Sequence, residues 1–201
     1  MNFPPDDVKL IVSNIARILR KRNETLAISE AACGGLISAY IVLVPGASDF
    51  YIGGKLVYSL KQRLKLSGWS DEDIINYMGP SEQVALKLAR TTKYELGSTY
   101  VLSETGFAGP SVDLHLNDDD NNKDKENDKE NEIDNYKSES DAEIGTVYLG
   151  FSGPNIQVSK QCKTGNSDRA SNMTQFAKLG LQLLLNQLES LDSKGEQPEL
   201  N

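Results

Sequence analysis

The sequence predicts an α/β fold, a three-layer α/β/α sandwich around a mixed, mostly parallel sheet closed by a C-terminal hairpin. Three observations lead to this prediction. Short apolar runs bounded by polar residues, typical of buried strands, alternate with segments whose apolar residues recur at helical spacing. Three polar turns that contain glycine lie beside these elements. Two late apolar runs are separated by residues 152–155, Ser-Gly-Pro-Asn, which is typical of a hairpin turn.

The first part of the chain predicts a helix, a strand and a second helix. Two acidic residues open the first helix, which ends on basic residues near Arg22. Residues 25–28 predict a buried strand, and residues 36–44 predict a helix with one apolar face. The turn between them, residues 29–35, reads Ser-Glu-Ala-Ala-Cys-Gly-Gly.

The middle of the chain predicts one strand and three helices. The strand, residues 50–59, is interrupted by Gly53 and Gly54, a pair that indicates a bulge or the close approach of a ligand. Two short helices are predicted at 60–67 and 74–78. A longer helix is capped by Ser81-Glu82 and stops at Gly97.

The last part of the chain predicts three strands, of which the second and third form the hairpin, at 99–103, 144–151 and 156–162. A glycine-bearing turn, 104–110, follows the first of these strands. Another, 163–169, opens a final helix that runs to Leu191. We expect residues 193–201 to form a frayed tail.

The acidity of the chain is concentrated in one segment. The net charge is −8, and residues 117–141 hold 11 Asp or Glu and only 4 Lys. This segment has almost no apolar residues, so we expect a disordered insertion within a single domain, residues 1–192. The rest of the chain is nearly neutral, which argues against nucleic-acid binding.

The cysteine and histidine content excludes several kinds of site. Cys33 and Cys162 are the only cysteines, which favours a reducing, cytoplasmic location without disulfides. Together with the single His115 they cannot form a usual structural zinc site, and one histidine argues against a catalytic triad. We expect no metal and no cofactor. No apolar run reaches the length of a membrane span.

The first glycine-bearing turn is a candidate anion site. Gly34 and Gly35 have no Cβ, so a ligand can approach the backbone closely. A strand-to-helix turn also directs free N–H groups and the positive end of a helix toward one point, which suits a phosphate or a developing oxyanion. The alternative is that these glycines serve packing alone.

Five motifs in order resemble one known family. They are Ser29-Glu30 with Gly34-Gly35, Gly46-Ala47-Ser48 through Val57-Tyr58-Ser59, the stretch from Ser103 to Pro110, Gly145-Thr146-Val147, and Thr164-Gly165 with Asp168-Arg169. This pattern resembles the CinA C-terminal domain family, the nicotinamide-nucleotide amidohydrolases, over about residues 8–191. The chain is similar to the standalone, eukaryotic (fungal-type) form, which lacks the N-terminal domain of bacterial two-domain relatives.

The resemblance implies a homo-oligomer with a pocket for nicotinamide mononucleotide (NMN), whose carboxamide is hydrolysed to a carboxylate with release of ammonia. Backbone donors of the glycine turns would bind the phosphate, and Arg169 would add a bidentate contact. The alternative for Arg169 is a surface salt bridge. The candidate ligand-binding residues are Gly34, Gly35, Ser48, Thr105, Gly106, Ala108, Gly109, Gly165 and Arg169.

The chain departs from the family at the two positions expected to do chemistry. The family's serine nucleophile falls on Ala31, and its lysine base falls on Arg63, which cannot deprotonate usefully at neutral pH. Cys33, activated by a helix N-terminus, and Lys61 are conceivable substitutes, although a buried small residue is the preferred interpretation of Cys33.

Glu30 and Tyr58 join Cys33 as candidate catalytic residues. Glu30 would orient a ribose hydroxyl or an amide, or would cap a helix, and Tyr58 and Ser48 would otherwise serve core and loop packing.

Three hypotheses follow, in order of preference. The first is an NMN-type pocket with impaired catalysis. The second is an active amidohydrolase that uses Cys33 or an activated water. The third is a non-enzymatic interaction protein that binds through the acidic segment.

Overall fold

The computed structural model describes residues 3–59, 63, 66, 68–70, 72, 77, 79–112 and 143–195. Arg63 and Leu66, within the first predicted short helix, are helical. The predicted acidic insertion, His115, Lys61 and nearly all of the predicted helix 74–78 lie outside the described residues.

One five-stranded sheet forms the middle layer. Its strands are β1 (Leu26–Glu30), β2 (Tyr51–Leu56), β3 (Tyr100–Phe107), β4 (Thr146–Ser152) and β5 (Gln157–Lys163), in the spatial order β2-β1-β3-β4-β5. β1 pairs in parallel with β2 and β3, whereas β4 pairs antiparallel with β3 and β5. The predicted mixed sheet and C-terminal hairpin are therefore confirmed. The hairpin does not close the sheet, because β2 and β5 remain separate edges.

Helices cover both faces of this sheet, as predicted. They are α1 (Asp6–Arg22), α2 (Leu36–Val42), α3 (Glu82–Leu96) and α4 (Arg169–Gly195). α1, α2 and α4 share the main apolar core with one face of the sheet. α3 packs on the opposite face, where Ala89 meets Ala27 and Val101. The result is the expected α/β/α sandwich.

Local chemistry explains the helix ends. Ser81 caps α3, since its hydroxyl accepts a hydrogen bond from the N–H of Val84 at 3.2 Å. Gly97 ends that helix in the left-handed conformation, with φ of 68°. α4 runs through Gly195, so the helix continues past Ser193, where we expected the tail to begin.

β3 is longer than predicted, so the second glycine-bearing turn begins later than expected. The sequence predicts residues 104–107 in the turn, but they continue the ladder with β4, from Glu104 opposite Leu149 to Phe107 opposite Thr146. Gly106 belongs to this ladder. A Cβ there would lie 2.5 Å from the carbonyl oxygen of Thr146, so its missing side chain is explained by strand packing. β2 carries the predicted irregularity, a register shift beside Gly53.

Candidate functional site

The three glycine-bearing turns meet where β1 and β3 end and α4 begins. Asn172, in the first turn of α4, donates from Nδ2 to the carbonyl oxygen of Ala108 at 3.0 Å. A Cβ on Gly34 would lie 3.6 Å from the terminal methyl group of Met173. The carboxyl ends of parallel strands lie at the same edge of a sheet, and this edge is a frequent ligand-binding location in α/β folds. The convergence that the sequence predicted is therefore present.

Glu30 caps α2, which was one of the two roles considered for it. The side chain is buried, and its two carboxylate oxygens accept four hydrogen bonds. Oε2 accepts from the N–H groups of Gly35 and Ile37, each at 3.0 Å. Oε1 accepts from the N–H of Ser38 at 2.8 Å and from its hydroxyl at 2.6 Å. The carboxylate thus neutralises the positive end of the helix from inside the protein.

Glu104 is a second internal carboxylate at this edge, and the sequence reasoning missed it. Its Oε2 accepts hydrogen bonds from the N–H groups of Ala31 at 3.2 Å and Cys33 at 2.9 Å. Its Oε1 is buried without a partner among the described residues. Burial raises the pKa of Glu104, although the two N–H groups act in the opposite direction. The only available signal was an acidic residue at the end of a buried β-rich run.

These two carboxylates correct the expectation of an anion site in the first turn. The first turn and the start of α2 present the N–H groups of residues 31, 33, 35, 37 and 38, and Glu30 and Glu104 accept from all five. Because a buried carboxylate and a phosphate need the same donors, the protein satisfies this helix end itself. Gly34 and Gly35 serve the turn geometry, with φ of 64° and 98°.

Cys33 does not have the environment predicted for it. We expected the helix N-terminus to lower the pKa of its thiol. Instead the side chain is buried, and burial followed by the nearby charges of Glu104 and Glu30 raises that pKa well above its usual value. The sulfur contacts the carbonyl oxygen of Met173 at 3.7 Å. The activated thiolate does not fit this environment, whereas the preferred interpretation, a buried small side chain, agrees with the structure.

Arg169 joins three segments of the chain. Its Nη2 donates to the hydroxyl of Tyr58 at 2.6 Å, and its Nη1 donates to the carbonyl oxygen of Gly109. Tyr58 is 57% exposed, so this contact lies at the surface of the edge. The guanidinium therefore holds the loop after β2 and the end of β3 against α4. Within the described residues it forms no salt bridge, which was the alternative considered.

The third glycine-bearing turn is ordered by Asn172, another residue that the sequence reasoning missed. Its Nδ2 also donates to the carbonyl oxygen of Asn166 at 2.9 Å, and its Oδ1 accepts from the hydroxyl of Thr164 at 2.5 Å. Gly165 adopts φ of 67°, and no atom would lie within 4 Å of a Cβ there. The sequence signal for this role was an asparagine near the start of the last helix; its burial is known only from the structure.

Ser48 lies at the opposite end of the sheet from the other candidates. It belongs to a single helical turn, Ala47–Asp49, which precedes β2. Because β2 is parallel to β1, residues before it sit at the amino ends of the strands, with Tyr51 opposite Leu26. The structure therefore does not bring Ser48 to the converging turns within this chain.

Ala31 and Arg63, the positions where the family's reactive residues were expected, are both buried. The methyl group of Ala31 offers no functional atom. Arg63 is 8% exposed, and its Nη1 donates to the hydroxyl of Tyr77 at 2.8 Å. Its Nε is buried without a hydrogen-bond partner among the described residues.

Within the described part of the chain, no three histidine, cysteine or acidic side chains are grouped so as to hold a metal ion. Of the helices described, none combines the length and the apolar character that crossing a membrane requires.

An open α/β sandwich with its turns gathered at the carboxyl ends of parallel strands defines a class of ligand-binding domain. Comparison with known proteins identifies the family. The model of the CinA C-terminal domain matches residues 9–116, more than half of the chain. The chain therefore belongs to the CinA C-terminal domain family.

Relatives in sequence agree with this assignment. A CinA-like protein of Synechocystis is 32% identical over 160 residues, which cover 79% of this chain and 32% of that protein. A CinA-like protein of Myxococcus xanthus is 28% identical over 167 residues, covering 81% of this chain and 33% of the relative. The chain thus spans about a third of the length of the curated relatives it matches.

Solved structures show the same fold. The competence/damage inducible protein CihA of Agrobacterium tumefaciens aligns with a TM-score of 0.74 at 19% identity, covering 92% of this chain and 99% of that one. The competence damage-inducible protein A of Klebsiella pneumoniae aligns with a TM-score of 0.73 at 16% identity, covering 90% and 97%.

Proposed function

We propose that this protein binds a nicotinamide mononucleotide-type ligand where the three glycine-bearing turns meet, and that it hydrolyses the amide poorly or not at all. The observation that carries the proposal is the convergence of these turns, held by the contacts of Asn172 and Arg169. Membership of the CinA C-terminal domain family supports a ligand of this class, which the resemblance implies. The phosphate contacts are not the amide donors of the first turn, because Glu30 and Glu104 already use them.

Impaired catalysis follows from the side chains available. Ala31 has no nucleophilic atom, and an arginine at position 63 is a poor general base. The second candidate, hydrolysis through Cys33, is disfavoured by the raised pKa of its buried thiol, because the thiolate is the attacking species. The third candidate, binding of a partner through the acidic segment, concerns residues outside the described part of the chain.

The experiment combines binding and turnover. Isothermal titration with NMN should give a saturable heat, and ammonia release from NMN should stay near the blank. In the double variant Ala31→Ser, Arg63→Lys, ammonia release should rise above that of the wild type, because a nucleophile and a base are restored. Absence of binding to folded wild-type protein contradicts the proposed ligand. Rapid release by the wild type, lost in Cys33→Ala, favours the second candidate.

A further inference from the structure

The two edge strands of the sheet carry different kinds of exposed residues. On β5 the exposed positions are Gln157, Lys160, Gln161 and Lys163. Lysine on an edge strand opposes pairing with a further strand. On β2 the exposed positions are Ile52, Gly54 and Leu56, and the two apolar side chains are 46% and 54% exposed. β5 is therefore protected against pairing with another strand, whereas β2 is not.

The backbone of β2 presents hydrogen-bonding groups along its outer side. Of the strands described, only β1 pairs with β2. The N–H of Val57 donates to the carbonyl oxygen of Glu30 in β1. Since backbone groups alternate in direction along a strand, the N–H and C=O groups of Gly54 and Leu56 point away from β1. Gly54 has no side chain to shield these groups, so a further strand can approach closely.

Exposed apolar side chains flank this strand in both helix layers. In α2, Val42 is exposed and lies on the same side of the helix as Ser38, whose hydroxyl accepts a hydrogen bond from Tyr51 of β2. On the α3 side, Leu66 is exposed, and its carbonyl oxygen accepts a hydrogen bond from Lys55 of β2. The exposed apolar surface therefore extends to both sides of the strand.

The charged side chains beside β2 are paired within the chain. Lys55 forms a salt bridge with Glu95 of α3. Asp49, just before the strand, forms one with Arg20 of α1 at 3.2 Å. Each pair is neutral, so these residues do not repel a second copy of the chain, although the chain as a whole carries a net charge of −8.

We propose that β2 pairs antiparallel with β2 of a second copy of this chain, which joins the two five-stranded sheets into one sheet of ten strands. The spacing of the exposed residues favours a second copy over an unrelated strand. Ile52 and Leu56 each lie two residues from Gly54, so a two-fold axis at Gly54 places Ile52 opposite the partner's Leu56. The same axis places Lys55 opposite the partner's Gly53, which avoids two lysines facing each other.

The size of this edge is close to what a stable dimer needs. Such dimers bury about 800 Å² on each partner. A strand of this length extends about 20 Å, and a sheet with a helix layer on each side is roughly 30 Å thick, which gives an edge of about 600 Å². The contact must therefore include Val42 and Leu66 as well as the strand. The inference goes beyond the proposed function, since none of these residues belongs to the candidate ligand site.

The first test is the mass in solution. Sedimentation equilibrium of the full chain at micromolar concentration should give twice the monomer mass of 22.1 kDa. Leu56→Lys should weaken dimerisation at least about tenfold, because the substitution buries an unpaired charge in each half of an apolar contact. Leu10→Lys, at a leucine of α1 that is 65% exposed, is the matched control and should leave the dimer unchanged. Circular dichroism should show that both variants are folded.

Disulfide crosslinking tests the register. In a Cys162→Ser background, the double variant Ile52→Cys, Leu56→Cys should form a covalent dimer on oxidation, because opposite residues of an antiparallel pair have Cα atoms about 5 Å apart. Either substitution alone should not, since its two copies lie four residues apart along the paired strands, which is about 13 Å.

Every other outcome overturns the inference. A monomeric wild type leaves the edge to a strand of another protein, or to residues 117–141 if their removal permits dimerisation. A dimer that is as stable in Leu56→Lys as in the wild type uses another surface. No covalent dimer from the double variant, or equal yields from the single variants, excludes the register centred on Gly54. If Leu56→Lys does not fold, Ile52→Lys and the crosslinking decide.

Discussion

Glu30 and Glu104 together accept the backbone N–H groups between the end of β1 and the start of α2. Each is a buried carboxylate, but their surroundings differ. Glu30 accepts four hydrogen bonds, whereas Glu104 accepts two through one oxygen, and its other oxygen has no partner among the described residues. Burial raises the pKa of Glu104. Glu104 is therefore the residue at which this site opposes folding at neutral pH.

Replacing Glu104 by Gln should show this opposition as a pH dependence. A carboxyl whose pKa is raised on folding contributes stability below its unfolded pKa, and that contribution is lost as the pH rises through the folded pKa. We therefore expect Glu104→Gln to gain stability relative to the wild type as the pH rises. The difference in the free energy of unfolding, variant minus wild type, should be larger at pH 8 than at pH 4.5. Urea unfolding at both values measures this difference.

The exposed Glu82 provides the comparison, since Glu82→Gln removes the same charge at the surface. Its effect should change little between the two pH values. A Glu104→Gln difference that is constant, or that grows toward low pH, would contradict the assigned burial effect.

At the residue scale the sequence predicted the site less completely than the fold. It identified Glu30, Tyr58, Arg169 and the glycines, because turns and charges are visible in a sequence. It missed Glu104, because whether a residue at the end of a strand faces one layer or the other depends on strand length. It misplaced Ser48, although the parallel pairing of the first two strands already put a residue before β2 at the far edge.

The elements of this protein are joined at the site by backbone positions that only glycine tolerates well. Gly145 precedes β4 with φ of 86°, donates its N–H to the carbonyl oxygen of Phe107, and accepts from the N–H of Thr164. A Cβ there would lie 2.5 Å from the hydroxyl of Thr164 and 2.7 Å from the carbonyl oxygen of Asn166. This close approach fixes the third turn against the end of β3.

Gly145→Ala should therefore destabilise the protein by more than ~2 kcal/mol, because backbone strain and a clash with backbone atoms add. Gly97→Ala separates the two terms. Gly97 also has a positive φ, of 68°, but no atom lies within 4 Å of its Cβ position. That variant should cost only about 1 kcal/mol, from strain alone. Equal losses in the two unfolding free energies would contradict the packing role of Gly145.

The sequence predicted the elements well because their signals are local. Apolar periodicity and the caps at Ser81 and Gly97 predicted the helices, and the Ser-Gly-Pro-Asn stretch predicted the hairpin. The ends of β1 and β3 were predicted too short because polar residues there suggested turns. In the folded protein those residues are buried by the neighbouring strands and helices, which is tertiary information.

In the whole molecule, hydrogen bonds join the first and last helices, α1 and α4, on one face of the sheet. Arg22, at the end of α1, donates from Nε to Asp192 at 2.9 Å and from Nη2 to the carbonyl oxygen of Leu188 at 2.7 Å. Both partners lie near the end of α4. The N-terminal turn of the same helix carries Asn172 and Arg169, so α4 connects the site to the far end of the domain.

Arg22→Ala should loosen the end of α4 without disturbing the sheet. The lost hydrogen bonds to charged groups are worth about 1–3 kcal/mol. Hydrogen exchange of the amides of residues 184–192 should accelerate, whereas β1 and β3 amides should keep their protection. Arg17→Ala, on the exposed side of α1, should leave both unchanged. Uniform acceleration throughout the domain would show that this fastening supports global stability instead.

At the edge where ligands are expected, the carboxylates of Glu30 and Glu104 already supply negative charge to the N–H groups of the first turn. The two carboxylates therefore leave the first turn without an unpaired positive helix end that an added anion would neutralise. Sulfate or inorganic phosphate should raise the melting temperature no more than other salts of the same ionic strength do. A nucleotide ligand must then be recognised through its ring, its sugar and its carboxylate or amide, rather than through a preformed phosphate-binding site in the first turn.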